Sequence, residues 1–210
     1  MTKHQNNKEQ AILAAAKEEF LEKGYDGART TSIARNAGVT HAMLHYYFKT
    51  KDQLFERIFR ETIGLVGKSL IEVFTNSEKP LLERINDAVD IHFDFIKDNP
   101  RLPLFIIREV ASHPERFVLV KETLSTVAGS MIKVIEHDLE RAASNGEIAK
   151  IEATTLMLDI LSINAFPFLI QPLFVAAMGD YWSGTEDKFF EMRKRESVEI
   201  IMRRLTPNKQ

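Results

Sequence analysis

The chain of 210 residues has no cysteine. That one absence removes disulfide scaffolds, thiolate metal sites and cysteine nucleophiles together, and it allows a reducing compartment. Sustained alternation of apolar and polar residues is also missing, and Gly-centred hairpin signals are few, so strands are not expected. No internal repeat or low-complexity tract stands out. There is no Gly-rich phosphate loop, no His-Glu-x-x-His and no Gly-x-Ser-x-Gly. An enzyme is therefore not expected, and no catalytic residue, metal set or cofactor is assigned. The opening MTKHQNNKEQ is polar and has no apolar h-region, so the expectation is a cytoplasmic protein without a secretory leader.

What is present suits a folded helical protein. Hydrophobic residues make up 44% of the chain, which supports a sizeable core and excludes global disorder. Fourteen Phe against one Trp point to apolar interior surface in quantity. The length fits one domain, or two small ones. The net charge of −2 hides an asymmetry: the first 60 residues carry ten Lys/Arg and seven Asp/Glu, the other 150 carry 18 and 23. A basic start on an acidic body is what a chain needs if only its first part meets a polyanion.

Ile12, Ala16 and Phe20 recur at helical spacing, with Leu13 and Leu21 beside them, and predict a first helix over 8–23 that Gly24 ends. A turn over 24–29 leads to a short helix from about Thr30 to Ala37. Gly38 breaks it, and a second short helix covers His41 to Tyr47, with Thr40 as N-cap. Thr50 and Gln53 stand in capping-box spacing before a helix of about 25 residues that is long enough to run from one module into another. Further helices are expected at about 80–98, 103–112, 116–145, 150–178 and 186–205. Asn99-Pro100, His113-Pro114, Asn145-Gly146 and Ser183-Gly184 punctuate them.

The stretch 29–51, RTTSIARNAGVTHAMLHYYFKTK, holds the most information. Ile33 and Ala37 face inward from one short helix, and Leu44 with Tyr47 or Phe48 from the next. Ala34 is small where the two cross, Gly38 permits a left-handed turn, and Val39 plugs it. This is helix-turn-helix spacing. The face left outward presents His41, Ala42, Met43, His45 and Tyr46 to base edges and sugars. Thr30 and Thr31 place hydroxyls and amides at a helix start, and Lys49, Lys51 and Arg29 suit phosphates.

These residues, as GxxGARTTSIARNAGVTHAMLHYYFKTKDQLF, resemble the DNA-binding module of the TetR family of transcriptional repressors. The resemblance is close over about residues 8–60; beyond that it rests on the number and length of helices. It implies an all-α protein: an N-terminal three-helix helix-turn-helix module, residues 1–50, followed by a larger helical ligand-binding and dimerisation domain, residues 51–210, with about nine helices altogether. It implies a homodimer on a double-stranded DNA operator, released by a small-molecule effector. By the same resemblance, Lys51 matches the family's phosphate-binding lysine, and Thr30 and Thr31 match positions that touch DNA at the entry of the second helix. Thr40, His41, Ala42 and Met43 match the variable base-reading positions. Where the family usually has a phosphate-contacting tyrosine this chain has His45, with Tyr46 beside it to share the role.

In the body, the run from Ile160 to Gly179 carries no charge. Its length of about 20 residues would suit a membrane span. Asn164, Gln171, Pro167 and Pro172 argue instead for a helix buried on several sides, bent by its prolines, and no membrane is expected. The resemblance places it with the last helix in a four-helix dimer interface of Leu161, Phe168, Leu169, Phe174, Phe189, Met192, Ile200 and Ile201. Phe93, Phe105, Arg108, Glu109, Phe117 and Phe168 are the candidate ligand-binding residues, though aromatics at this spacing equally make plain core. Glu109 and His113 stand four apart with no third metal ligand in view, and Asp90, Asp94 and Asp98 read as a solvated helix face. Two other functions stay open: a DNA-binding regulator that acts through protein partners without an effector, and a helical interaction module that binds no DNA.

Overall fold

The computed structural model describes residues 3–112 and 114–207, with the backbone alone at 3–6, 110, 112, 114–117, 119 and 120. Nine α-helices and a 3₁₀ turn account for the described secondary structure, with no strand among those residues. They are α1 (Lys3–Gly27), α2 (Thr30–Asn36), α3 (His41–Tyr47), α4 (Lys51–Thr75), α5 (Leu81–Asp98), α6 (Leu102–Ser112), α7 (Pro114–Ser144), α8 (Ala153–Met178) and α9 (Glu186–Leu205). The chain divides into two compact units: residues 1–64 with 104–124, and residues 65–103 with 125–210. The all-α class and the helix count agree with the sequence.

The first unit is built on the apolar stripe of α1. Ile12, Ala16 and Phe20 are buried, as are Ile33 and Ala34 of α2, Leu44 of α3, and Leu54, Phe55 and Phe59 of α4. At Gly24 the backbone leaves the helix with φ 70°, a conformation an L side chain rarely adopts. A Cβ there would also lie 2.7 Å from the Arg108 guanidinium. The Tyr25 amide just beyond donates to Glu109 Oε1 at 3.0 Å. The buried Glu109 thus closes the end of α1, and His113, the other half of the pair read from sequence, lies outside the described residues.

The second unit buries Leu70 and Phe74 of α4 with Ile85 and Val89 of α5, Leu139 of α7, Leu156 of α8 and Ile201 of α9. A second cluster gathers Phe93, Phe189 and Phe190, with Phe168, Phe174 and Trp182 packed against it. Asp90 and Asp94 are not simply solvated: Lys194 of α9 reaches them at 3.7 and 2.7 Å and ties α9 to α5.

α8 departs from expectation. It runs unbroken from Ala153 to Met178 with Pro167 and Pro172 inside it. It is long and apolar enough to cross a membrane, yet only 17% of its most apolar window is buried. Leu158, Leu161, Phe166 and Leu173 are all exposed, so one chain by itself does not bury this helix on several sides.

Candidate nucleic-acid interface

Two short helices and a sharp turn position the candidate surface. Arg29 precedes α2 in extended conformation, and its carbonyl accepts from the Ile33 amide. After α2 the chain turns at Gly38, whose φ of 66° supplies the left-handed step, and the Val39 amide returns to the Ala34 carbonyl at 3.0 Å. Thr40 then caps α3 by accepting from the Met43 amide at 3.1 Å. With Leu44 and Phe48 buried and Val39 half-buried, the inner side of α3 is fixed by apolar packing. Its other face is left to solvent: His41, Ala42, His45 and Tyr46 are exposed, Tyr46 to 75%.

Charge is one-sided across this surface. From Gly27 to Lys51 the chain carries Arg29, Arg35, Lys49 and Lys51 and no Asp or Glu. A segment of this charge attracts polyanions. Thr31, Thr40 and Lys49 are exposed, and Thr30, Met43 and Lys51 half-buried. All ten residues proposed to meet DNA therefore lie within α2, α3, their flanks and the first residue of α4.

Two features were not legible in the sequence. The Lys51 ammonium sits 4.3 Å above the centre of the Tyr25 ring, a cation–π contact that orients it. Tyr25 is itself held: its hydroxyl donates to Asp52 at 2.6 Å and its ring meets Phe20 and Phe55. Tyr25 is separated from Lys51 by 26 positions, and nothing in the spacing announces the pair. The second feature is Glu19. Burial opposes its charge, but the Lys23 ammonium at 2.9 Å and the Arg29 amide at 3.3 Å outweigh that and hold its carboxyl below the ordinary value. Glu19 thereby anchors the residue that precedes α2.

The ligand candidates are not brought together. Phe93 and Phe168 meet in the second unit at 5.1 Å between ring centres. Phe105, Arg108 and Glu109 belong to the first, where Phe105 packs on Phe55. The Phe117 side chain lies outside the described residues. A cavity of ≈ 40 Å³ lies in the second unit among Leu70, Phe74, Met131, Ile135, Leu156 and Ile160, with His92 as its one ionisable neighbour, and none of the five described candidates lines it. Burial pushes the His92 imidazole down to about 4, so it is neutral at ordinary pH. Asn164 Nδ2 donates to the Val89 carbonyl at 2.8 Å and lies 3.3 Å from His92 Nδ1. An amide nitrogen can only donate, so His92 Nδ1 accepts and its proton sits on Nε2. The pair is 72 residues apart, and the sequence signal was only an Asn inside an apolar run.

Of the dimer candidates, Phe189 and Ile201 are enclosed by their own chain. Leu161 and Ile200 are exposed. Leu169, Phe174 and Met192 line an open groove of ≈ 750 Å³ along α8 and α9, together with Phe166 and Pro167.

A capped α3 presented within a basic segment by a three-helix head defines a helix-turn-helix protein. Its head is of a known kind: residues 12–58 match the model for bacterial regulatory proteins of the tetR family. It is 25% identical over 182 residues, 86% of each chain, to the probable HTH-type transcriptional regulator YttP of Bacillus subtilis (strain 168). Its fold is similar to that of HlyIIR, a hemolysin II transcriptional regulator, with TM-score 0.65 and 22% identity over 97% of this chain and 99% of that one. It is also similar to FadR from Bacillus subtilis, solved in complex with stearoyl-CoA, with TM-score 0.65 and 16% identity over 93% and 98%.

Proposed function

We propose that the chain is a cytoplasmic, homodimeric, ligand-responsive transcriptional repressor that binds a palindromic double-stranded operator. The observation that carries this reading is the exposed face of α3 within a run that holds four basic residues and no acidic one. Thr40, His41, Ala42 and Met43 meet base edges, with His45 and Tyr46 beside them. Thr30, Thr31, Lys49 and Lys51 hold phosphates. Residues 1–50 act as the reading head and 51–210 as the regulatory part. The two copies of α3 enter successive major grooves about 34–36 Å apart.

Dimerisation uses the apolar groove of α8 and α9, where Leu169, Phe174 and Met192 are available to a partner, with Leu161 and Ile200 exposed elsewhere on the same two helices; Phe168, Phe189 and Ile201 support it from within the subunit. The effector is small and largely apolar. It enlarges the cavity beside His92, with Phe93 and Phe168 in the adjoining aromatic cluster. The acyl ligand of the FadR structure is consistent with an apolar effector. Binding changes the spacing of the two heads through α4, whose residues fall in both units. A coupling of about 1–3 kcal/mol is typical of such a link.

Electrophoretic mobility shift against the DNA upstream of the protein's own gene, over a salt series, tests the reading. Binding that weakens steeply with salt and retains sequence preference is expected. Binding that shows no preference, or none at low salt, overturns it.

A further inference from the structure

We infer that His41 and His45 form a binding site for one late first-row divalent cation, of the class of zinc, nickel or copper. The two histidines stand one helical turn apart on α3, both exposed, with ring centres 4.4 Å apart and planes at 86°. Their Nε2 atoms are 3.2 Å apart. Imidazole nitrogens bind such ions at about 2.0–2.1 Å, so two of them on one ion at right-angle to tetrahedral openings lie about 2.9–3.4 Å apart. The observed separation falls in that window. Holding an ion asks that His41 shift its proton to Nδ1 and that the rings swivel until both Nε2 lone pairs meet beside the line joining them.

The surroundings fit the donor set. His45 Nδ1 lies 3.4 Å from the Lys49 carbonyl. A carbonyl only accepts, so the His45 proton is on Nδ1 and its Nε2 is left as a lone pair, the arrangement a carbonyl–histidine–metal chain requires. In the metal-free pair, His41 Nε2–H donates to that lone pair and faces Thr30 Oγ1 at 3.0 Å. A cation takes the place of this proton, which moves through water to His41 Nδ1, so that both rings bind as neutral imidazoles through Nε2. The Thr30 hydroxyl then supplies an oxygen to the ion or to a water on it. Among the described residues no group of three or more His, Asp or Glu is placed to hold a metal. The site is therefore open, with two imidazoles and free positions for water, and its ligands leave the ion's double charge in place. An occupied site withdraws both Nε2 atoms from base edges. This last step rests on the DNA-reading role proposed above; the metal site itself does not.

The test is a calorimetric titration of the full-length chain, free of any affinity tag, with zinc chloride and separately nickel chloride. One ion per chain is expected. His41→Ala and His45→Ala should each weaken binding at least about tenfold, and His137→Ala, an exposed histidine on α7, should leave it unchanged. Circular dichroism of the variants checks that the fold is kept. Affinity unchanged in both α3 variants, or no binding by the parent chain, overturns the site whatever the DNA assay shows. In the mobility-shift assay zinc should alter operator preference in the parent chain and not in the variants. If zinc binds through both histidines and operator preference is unmoved, the metal site is supported and the base-reading role of these two rings is what falls.

Discussion

α3 and α8 both face solvent, and for opposite reasons. α3 has seven residues, is capped by Thr40, buries Leu44 and presents two histidines and a tyrosine beside lysines. α8 has 26 residues and exposes Leu158, Phe166 and Leu173. A polar, cationic exposed face costs nothing in water and attracts an anion. An apolar exposed face of that size is unfavourable until something apolar covers it. The same geometric fact, a helix on the outside, therefore points to a charged polymer in one region and to a protein surface in the other.

The comparison breaks most sharply at α8. Replacing Phe166 and Leu173 together by Glu should convert a dimer into a monomer, weakening association by about 4 kcal/mol, as read by analytical ultracentrifugation. Unchanged association would remove α8 from the interface.

The next effect concerns the interior of the second unit. The imidazole of His92 titrates near 4 when folded and near its ordinary 6.5 when unfolded. Between those values the unfolded state binds more protons, so stability falls as the pH drops from about 6.5 towards 4 and levels off below. The loss should reach about 3 kcal/mol. His92→Gln should flatten that part of the urea-denaturation profile.

On the head, Lys51→Ala should lower affinity for all DNA sequences about tenfold and reduce the salt slope by about one. An effect confined to one operator would mean that Lys51 reads bases. The smallest change is Thr40→Ala. It removes the cap on α3 and should lower thermal stability by about 1 kcal/mol, with circular dichroism melting as the measurement.

The head was more legible than the body. Ile33, Ala34, Gly38, Val39 and Leu44 lie within a dozen residues, and the turn between them closes on a local bond from the Val39 amide to the Ala34 carbonyl, so spacing alone reveals it. The caps at Thr40 and Thr50 are equally local. α8 was misread because an evenly apolar helix has no polar face to show which side meets water; periodicity finds the helix and says nothing of its cover. The ligand set scattered because Phe93 and Phe105 look alike in sequence, yet Phe105 is spoken for by Phe55, fifty residues away, and Phe93 by Phe168. His92 and Asn164 were missed for the same reason: what makes them a pair is the packing of α5 against α8.

The absence of any carboxylate from Gly27 to Lys51 also bears on kinetics. A basic segment of this kind sticks weakly to every duplex, whatever its sequence. A regulator built this way searches by sliding and hopping rather than by repeated encounters from bulk solution. Its occupancy of a target is then governed by how long it lingers, and a signal need only shorten that dwell time to clear the site.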